Sequence, residues 1–187
     1  MDTLLNILII LYLILILIDL IIIFRKRKVK FIKLNDKVII PSKRKGDAGY
    51  DIYANFKEEN FIIQPHETKL IPTGLSTIFS DKYVLLLRER GSTGSRGMAL
   101  RCGVIDSNYR GEIFVGITNT NDKPLIITKE KDTSALEDDY IVYPYGKAIA
   151  QGIFLPLGGI IPSVGLVEDL DKNKTERNKG SLGSSNK

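Results

Sequence analysis

Two stretches of this chain carry side chains whose types and spacing could do chemistry. The first is Arg88-Glu89-Arg90-Gly91-Ser92-Thr93-Gly94-Ser95-Arg96-Gly97, where arginines flank a turn rich in glycine and serine. Such a turn offers guanidinium charge, hydroxyls and backbone N–H groups together, a donor set suited to a polyphosphate. An unrelated polar loop would have the same composition, so the stretch alone is ambiguous. The second is Gly103-Val104-Ile105-Asp106-Ser107-Asn108-Tyr109-Arg110-Gly111. Its Asp-Ser-Asn turn between β-rich flanks reads as a hairpin. Two further stretches have plain structural readings. Asp47-Ala48-Gly49-Tyr50-Asp51-Ile52 is a turn entering a strand, with a glycine that permits close backbone approach. Gly146-Lys147-Ala148-Ile149-Ala150-Gln151-Gly152-Ile153 alternates small and branched residues like a core strand.

These four segments and a fifth, Thr175-Glu176-Arg177-Asn178-Lys179-Gly180-Ser181-Leu182-Gly183-Ser184-Ser185, resemble in order the five motifs of the trimeric dUTP diphosphatase (dUTPase) family. The resemblance runs from about Phe31 to the C-terminus. It implies an all-β fold, a distorted jelly-roll β-barrel that trimerises, with each site drawing motifs from several subunits. The implied reaction is hydrolysis of dUTP to dUMP and pyrophosphate, which limits uracil incorporation into DNA and supplies dUMP for thymidylate synthesis. By resemblance, Asp106 holds the attacking water as general base. Backbone groups near Gly103 and Val104 read the uracil edge, in a slot too narrow for a thymine methyl. Tyr109 places its ring under the deoxyribose and leaves no room for a ribose hydroxyl, while Arg110 supports the hairpin. The phosphates fall to Arg90, Gly91, Ser92, Gln151, Arg177, Gly183 and Ser184, with Asp51 in a supporting role. The family's Mg²⁺ is held by the triphosphate and waters, so no carboxylate cluster for metal is expected.

Two positions depart from the family pattern. Gly91 stands where serine is commoner, which passes that phosphate contact to a backbone N–H or to Ser92. Leu182 replaces an aromatic that commonly stacks on uracil. Two alternatives have different chemistry. A dCTP deaminase of the same fold carries a glutamate three residues before the asparagine that ends the strand after the hairpin; counting back from Asn119 gives Gly116. Its pattern also places arginine where Ser95 stands. The other alternative is a non-catalytic, membrane-tethered nucleotide-binding module, against which the retained Asp106, Tyr109, Gln151 and Arg177 argue.

The elements that must position these residues are short strands. From Phe31 onward there is no sustained helical period. β-rich runs at Leu75–Phe79, Tyr83–Leu87, Ile113–Asn119, Leu125–Thr128 and Ala148–Leu155 alternate with turn signals at Pro72-Thr73-Gly74, Asn119-Thr120-Asn121-Asp122 and Pro144-Tyr145-Gly146. Regular short strands of this kind predict a sandwich or barrel. The charged segment Glu130–Asp139 reads as a solvated loop.

Before the strands comes a different kind of sequence. Leu4 to Phe24 is almost wholly Leu and Ile, long enough as a helix to cross a bilayer core of about 30 Å. No basic residues precede it and no small-residue cleavage site follows, which favours a spanning helix over a signal peptide. Arg25, Lys26, Arg27, Lys28, Lys30 and Lys33 come directly after it. Without those six cations the formal charge of +5 falls to −1, so the block reads as a membrane flank rather than a nucleic-acid footprint. The positive-inside rule then leaves the large domain in the cytoplasm. Asp19, within the span, reads as lying toward the headgroups. A single cysteine, Cys102, excludes an internal disulfide and fits a reducing compartment. A single histidine, His66, follows Pro65 and reads as a solvated turn residue. The expected organisation is a transmembrane helix at 1–24, a basic linker at 25–36, the β-barrel at 37–168 and a flexible C-terminal arm at 169–187.

Overall fold

In a computed structural model of the chain, residues 2–25 and 29–158 are described. α1 (Asp2–Arg25) is followed by twelve short strands: β1 (Lys30–Lys33), β2 (Tyr50–Ile52), β3 (Asn60–Ile63), β4 (Thr68–Pro72), β5 (Leu75–Ile78), β6 (Tyr83–Arg88), β7 (Met98–Arg101), β8 (Val104–Ile105), β9 (Phe114–Asn119), β10 (Leu125–Thr128), β11 (Ile141–Pro144) and β12 (Ala150–Pro156). A single helical turn, α2 (Gly91–Gly94), separates β6 from β7.

The all-β expectation holds, but the described strands do not close into a barrel. The described strands divide among four sheets, ordered β1-β5, β11-β10-β3, β2-β12-β6-β8 and β4-β9-β7. Every pairing is antiparallel except β10 with β11. Backbone bonds outside the ladders tie the sheets together. Asn55 N–H donates to Pro72 C=O at 2.7 Å, and Ile113 N–H to Leu75 C=O at 2.8 Å.

Alternation along the strands builds one core. Leu85 and Leu87 of β6, Val115 and Ile117 of β9, and Ile52 of β2 point inward and are fully buried, while β10 is buried along its whole length. Asn119 is the polar exception. Its buried amide donates to Ile63, Gln64 and Lys123 carbonyls, and its Oδ1 accepts from Asn121, so one side chain fastens β9 to the segment after β3.

Two sequence readings change. Lys30–Lys33 lies inside the stretch expected as a linker, yet it is a strand in register with β5, Lys30 opposite Ile78 and Lys33 opposite Leu75. The basic block obscured its alternation, in which Phe31 turns inward against Tyr50 and Phe154. The hairpin around Asp106 is also wider than the sequence suggests. Its paired arms are β7 and β9, and the loop between them lends β8 to β6 of a neighbouring sheet. Cys102, at φ 56°, marks the break where the chain leaves one sheet for the other.

Helix α1 is apolar all round. Its Thr3–Ile21 stretch has a mean hydropathy of 3.0, and among the described residues nothing covers it. At 24 residues it is long enough to cross a bilayer. Glu130–Asp139 is a largely exposed loop containing one 3₁₀ turn, Ser134–Leu136. His66 is exposed at φ 60° and its Nε2 lies 3.0 Å from Asp122 Oδ1.

Candidate active site

The far end of β6 brings together Arg90, Gln151 and Asp51, three of the residues singled out in the sequence. Strand register sets Gln151 opposite both Arg88 and Asp51, since β12 lies between β6 and β2. The chain then turns through Glu89 and Arg90 into α2. Arg90 is fixed by a two-point contact with Asp51, Nε to Oδ1 at 2.9 Å and Nη2 to Oδ2 at 3.3 Å. This fork fits the planar guanidinium and leaves its Nη1 toward Ala148 C=O and Ser92 Oγ. Asp51 thus orients a cation. The Gln151 amide donates to Glu89 C=O at 2.8 Å, which aims the side chain across the strand ends. Room for it comes from Gly49, where a Cβ would fall 2.6 Å from Gln151 Oε1.

Beneath this arrangement Glu89 accepts the Leu100 N–H at 2.9 Å, tying the β6–α2 corner to β7. Hydrogen bonds from its own and the Leu100 backbone N–H hold the Glu89 carboxyl below the usual glutamate range.

Arg90, Gly91, Ser92, Gln151 and Asp51 line one open cavity of about 720 Å³. Its other wall was not anticipated: Ser42, Lys43, Arg44 and Asp47, from the loop before β2. Arg44 is held there by Asp47, whose Oδ2 accepts the Arg44 backbone N–H at 3.1 Å and its Nε at 3.2 Å. Those bonds, the backbone one foremost, lower the Asp47 pKa. Lys43 donates to Asp47 C=O at 2.6 Å and lies over the Tyr50 ring. The basic triplet Lys43-Arg44-Lys45 directly before the first motif was the available signal. The cavity is therefore lined by cations from two segments, with both of its carboxylates already engaged by arginine. Among the described residues no cluster of three or more His, Cys, Asp or Glu could hold a metal ion.

Asp106 and Tyr109 lie elsewhere. With Val104, Ile105, Leu70, Cys102, Glu112 and Phe114 they line a smaller, open cavity of about 250 Å³. The Asp106 carboxylate is exposed, on a turn closed by Tyr109 N–H to Asp106 C=O at 3.1 Å. The Tyr109 ring packs over Gly111 and its hydroxyl donates to Glu112 C=O at 2.9 Å. Arg110 donates to Ser107 C=O at 2.7 Å and to Tyr109 C=O at 2.9 Å, so it braces the loop. Gly103 adjoins this cavity without lining it. Its C=O accepts from Leu87 N–H at 2.7 Å, and a Cβ there would meet the Leu87 carbonyl oxygen at 2.6 Å.

The two cavities share no lining residue. Ile105 pairs with Leu85 and Gln151 with Arg88, so Asp106 and Arg90 sit toward opposite ends of β6. From Val84 to Arg90 an extended chain covers about 20 Å. One chain therefore brings Arg90, Ser92 and Gln151 together and Val104, Asp106 and Tyr109 together, but not the two sets. Arg177, Gly183 and Ser184 lie outside the described residues.

Comparison with known proteins bears on this geometry. Residues 35–132 match the family model described as dUTPase. The chain is 35% identical over 146 residues to the deoxyuridine 5'-triphosphate nucleotidohydrolase of Haemophilus influenzae, covering 76% of this chain and 83% of that one. It is 32% identical over 164 residues to the protein of that name from Nautilia profundicola, covering 86% and 99%. Among solved structures, a mutant dUTPase of Staphylococcus bacteriophage 80alpha with dUpNHpp superposes with a TM-score of 0.64 at 25% identity, covering 84% of this chain and 98% of that one.

Proposed function

Because the chain belongs to the dUTPase family, we propose that it hydrolyses dUTP to dUMP and pyrophosphate. The observation that carries this reading is the presence of two separate cavities, a cationic one built on the Asp51–Arg90 fork and Gln151, and a smaller, more apolar one holding Asp106 and Tyr109.

In the proposed reaction the uracil and deoxyribose occupy the hairpin cavity. Val104 and Tyr109 form its walls and exclude the thymine methyl and the ribose hydroxyl on steric grounds. The triphosphate lies against Arg90, Ser92, Gln151 and the backbone at Gly91, with Arg177, Gly183 and Ser184 of the C-terminal arm as further partners. Asp106 accepts a proton from water as that water's oxygen bonds to the α-phosphorus. The bond from the α-phosphorus to the β-bridging oxygen breaks, and pyrophosphate leaves. Catalysis is positioning and charge neutralisation more than covalent chemistry. Mg²⁺ brought in with the nucleotide would supply further charge neutralisation beside Arg90 and Gln151, without a protein carboxylate to hold it. The cavity fits that role, because Asp47 and Asp51 are occupied by Arg44 and Arg90 and the lining offers cations to the nucleotide.

The separation of the two cavities supports a homotrimer in which Asp106 of one copy faces Arg90 of another. A deaminase fits poorly. At Gly116, where that chemistry needs a glutamate, an added Cβ would already meet Arg101 C=O at 3.0 Å. The apolar α1 and its basic flank support a membrane anchor with the β-domain on the cytoplasmic side.

The test is pyrophosphate release by the full chain in detergent, supplied with Mg²⁺ and dUTP, with dCTP and UTP run alongside. Release from dUTP alone is expected. Asp106→Asn abolishes turnover while dUTP binding, followed by calorimetry, survives. Binding without turnover in the unaltered chain would favour a nucleotide-binding module instead.

A further inference from the structure

Very little chain joins α1 to the β-domain. α1 ends at Arg25 and β1 begins at Lys30. The Cα steps between them reach at most about 18 Å when fully extended. A helix anchored in a membrane therefore holds the start of β1 close to the lipid headgroups, whatever course the intervening residues take.

Register decides what else stands there. Lys30 lies opposite Ile78 at the end of β5. The next turn leads through Lys82 to Tyr83, which lies opposite Pro156 at the end of β12. Leu157 N–H then donates to Lys82 C=O at 2.7 Å. The start of β1, the β5–β6 turn and the end of β12 thus form one edge of the domain. Phe31, Phe79 and Phe154 support it from within, Phe79 meeting Phe154 edge-on at 5.1 Å. Outside, Ile78, Leu155 and Leu157 are 39, 42 and 50% exposed. Lys30 and Lys82 are exposed beside them, and no acid occurs from Arg25 to Leu34. The turn contributes one carboxylate, Asp81, which accepts a hydrogen bond from Ser80, and the exposed Asp106, which follows Ile105 opposite Leu85, stands at the same end of β6.

We propose that this edge lies on the surface of an anionic bilayer. Ile78, Leu155 and Leu157 enter the boundary between headgroups and acyl chains, and Lys30 and Lys82 meet lipid phosphates. Exposed aliphatics rimmed by lysine, beside the basic block that follows α1, match an anionic headgroup layer. A second copy would present the same cations and be repelled. The inference rests on the reading of α1 as a membrane span and goes beyond it by fixing which edge of the enzyme faces the lipid.

The chain has no tryptophan, so one introduced indole reports alone. Full-length Leu157→Trp, Ile78→Trp and Ser95→Trp are reconstituted into vesicles of phosphatidylcholine brominated in the acyl chains, with and without phosphatidylserine. Ser95 is exposed beyond the opposite end of β6 and serves as the distant reference. Emission from the Leu157 and Ile78 variants is expected to fall at least twofold relative to unbrominated vesicles, more strongly with phosphatidylserine, and Ser95→Trp is expected to stay unchanged. Unquenched Leu157 and Ile78 indoles in protein that floats with the vesicles would overturn the proposal, as would equal quenching at all three positions. Quenching indifferent to phosphatidylserine would overturn the anionic requirement. Protein that does not float defeats the anchor reading first, and the edge assignment falls with it.

Discussion

The Asp51–Arg90 fork is where a single residue has a chemical consequence that differs from its structural one. Both partners are about one-third exposed, so the pair adds little to stability, but it fixes where the guanidinium points. Asp51→Asn keeps the shape and loses the charge-assisted fork. We expect kcat/KM for dUTP to fall about tenfold with the thermal midpoint nearly unchanged. Steady-state kinetics beside a melting curve checks both halves, and an equal loss of stability would recast Asp51 as a folding residue. Gly91 is the complementary case. It departs from the family's usual serine, yet a Cβ there would meet nothing within 4 Å, and its φ is not positive. Gly91→Ser therefore fits without strain and places a hydroxyl at the cavity proposed to take the triphosphate. KM for dUTP is expected to fall by about threefold, or by less if the Ser92 hydroxyl already fills the role; a rise in KM would show that the open backbone is what the phosphate needs.

At the scale of elements, Asn119 shows how a strand end is held in place. Its buried amide serves three carbonyls from two segments. Asn119→Ala removes a donor from each of those carbonyls, of which Gln64 C=O keeps the Glu67 N–H, and should cost about 1–2 kcal/mol, read as a lower urea midpoint at constant slope. Strands of this kind were legible where local alternation and punctuation agreed. Leu125–Thr128 was read with its observed bounds, and Tyr83–Leu87 fell short by one residue. β1 was missed because its lysines read as continuous with the basic block, whereas only pairing with β5 reveals that Phe31 turns inward. The loop from Ser42 to Asp47 was missed for another reason. It has no periodicity, and its place in the cationic cavity comes from a backbone bond, Asp51 N–H to Ser42 C=O at 2.9 Å, that no spacing rule encodes. The motifs themselves were legible as chemistry. Their division between two cavities was not, because it follows from the β6–β8 and β6–β12 registers.

For the whole molecule, that division sets a condition on how the enzyme can work. A site complete within one chain would bring Asp106 within a water's reach of the phosphate bound at Arg90, and strand geometry places the two toward opposite ends of β6. Sites shared between copies meet the condition, and they make a distinctive prediction. Asp106→Asn and Arg90→Ala should each be nearly inactive alone, for different reasons. Unfolded together and refolded as a mixture, they should regain activity, because a site can take Asp106 from the Arg90-altered chain and Arg90 from the Asp106-altered one. Random association at equal concentrations makes about a quarter of the sites intact in that pairing. Pyrophosphate release from the mixture should approach that fraction of the unaltered enzyme, while the two variants mixed without unfolding should stay inactive until subunits exchange. If refolded mixtures remain as inactive as their components, although each variant binds or assembles normally, the two cavities must serve one another within a chain, and β6 would have to bend or the loop after β8 would have to move when substrate binds.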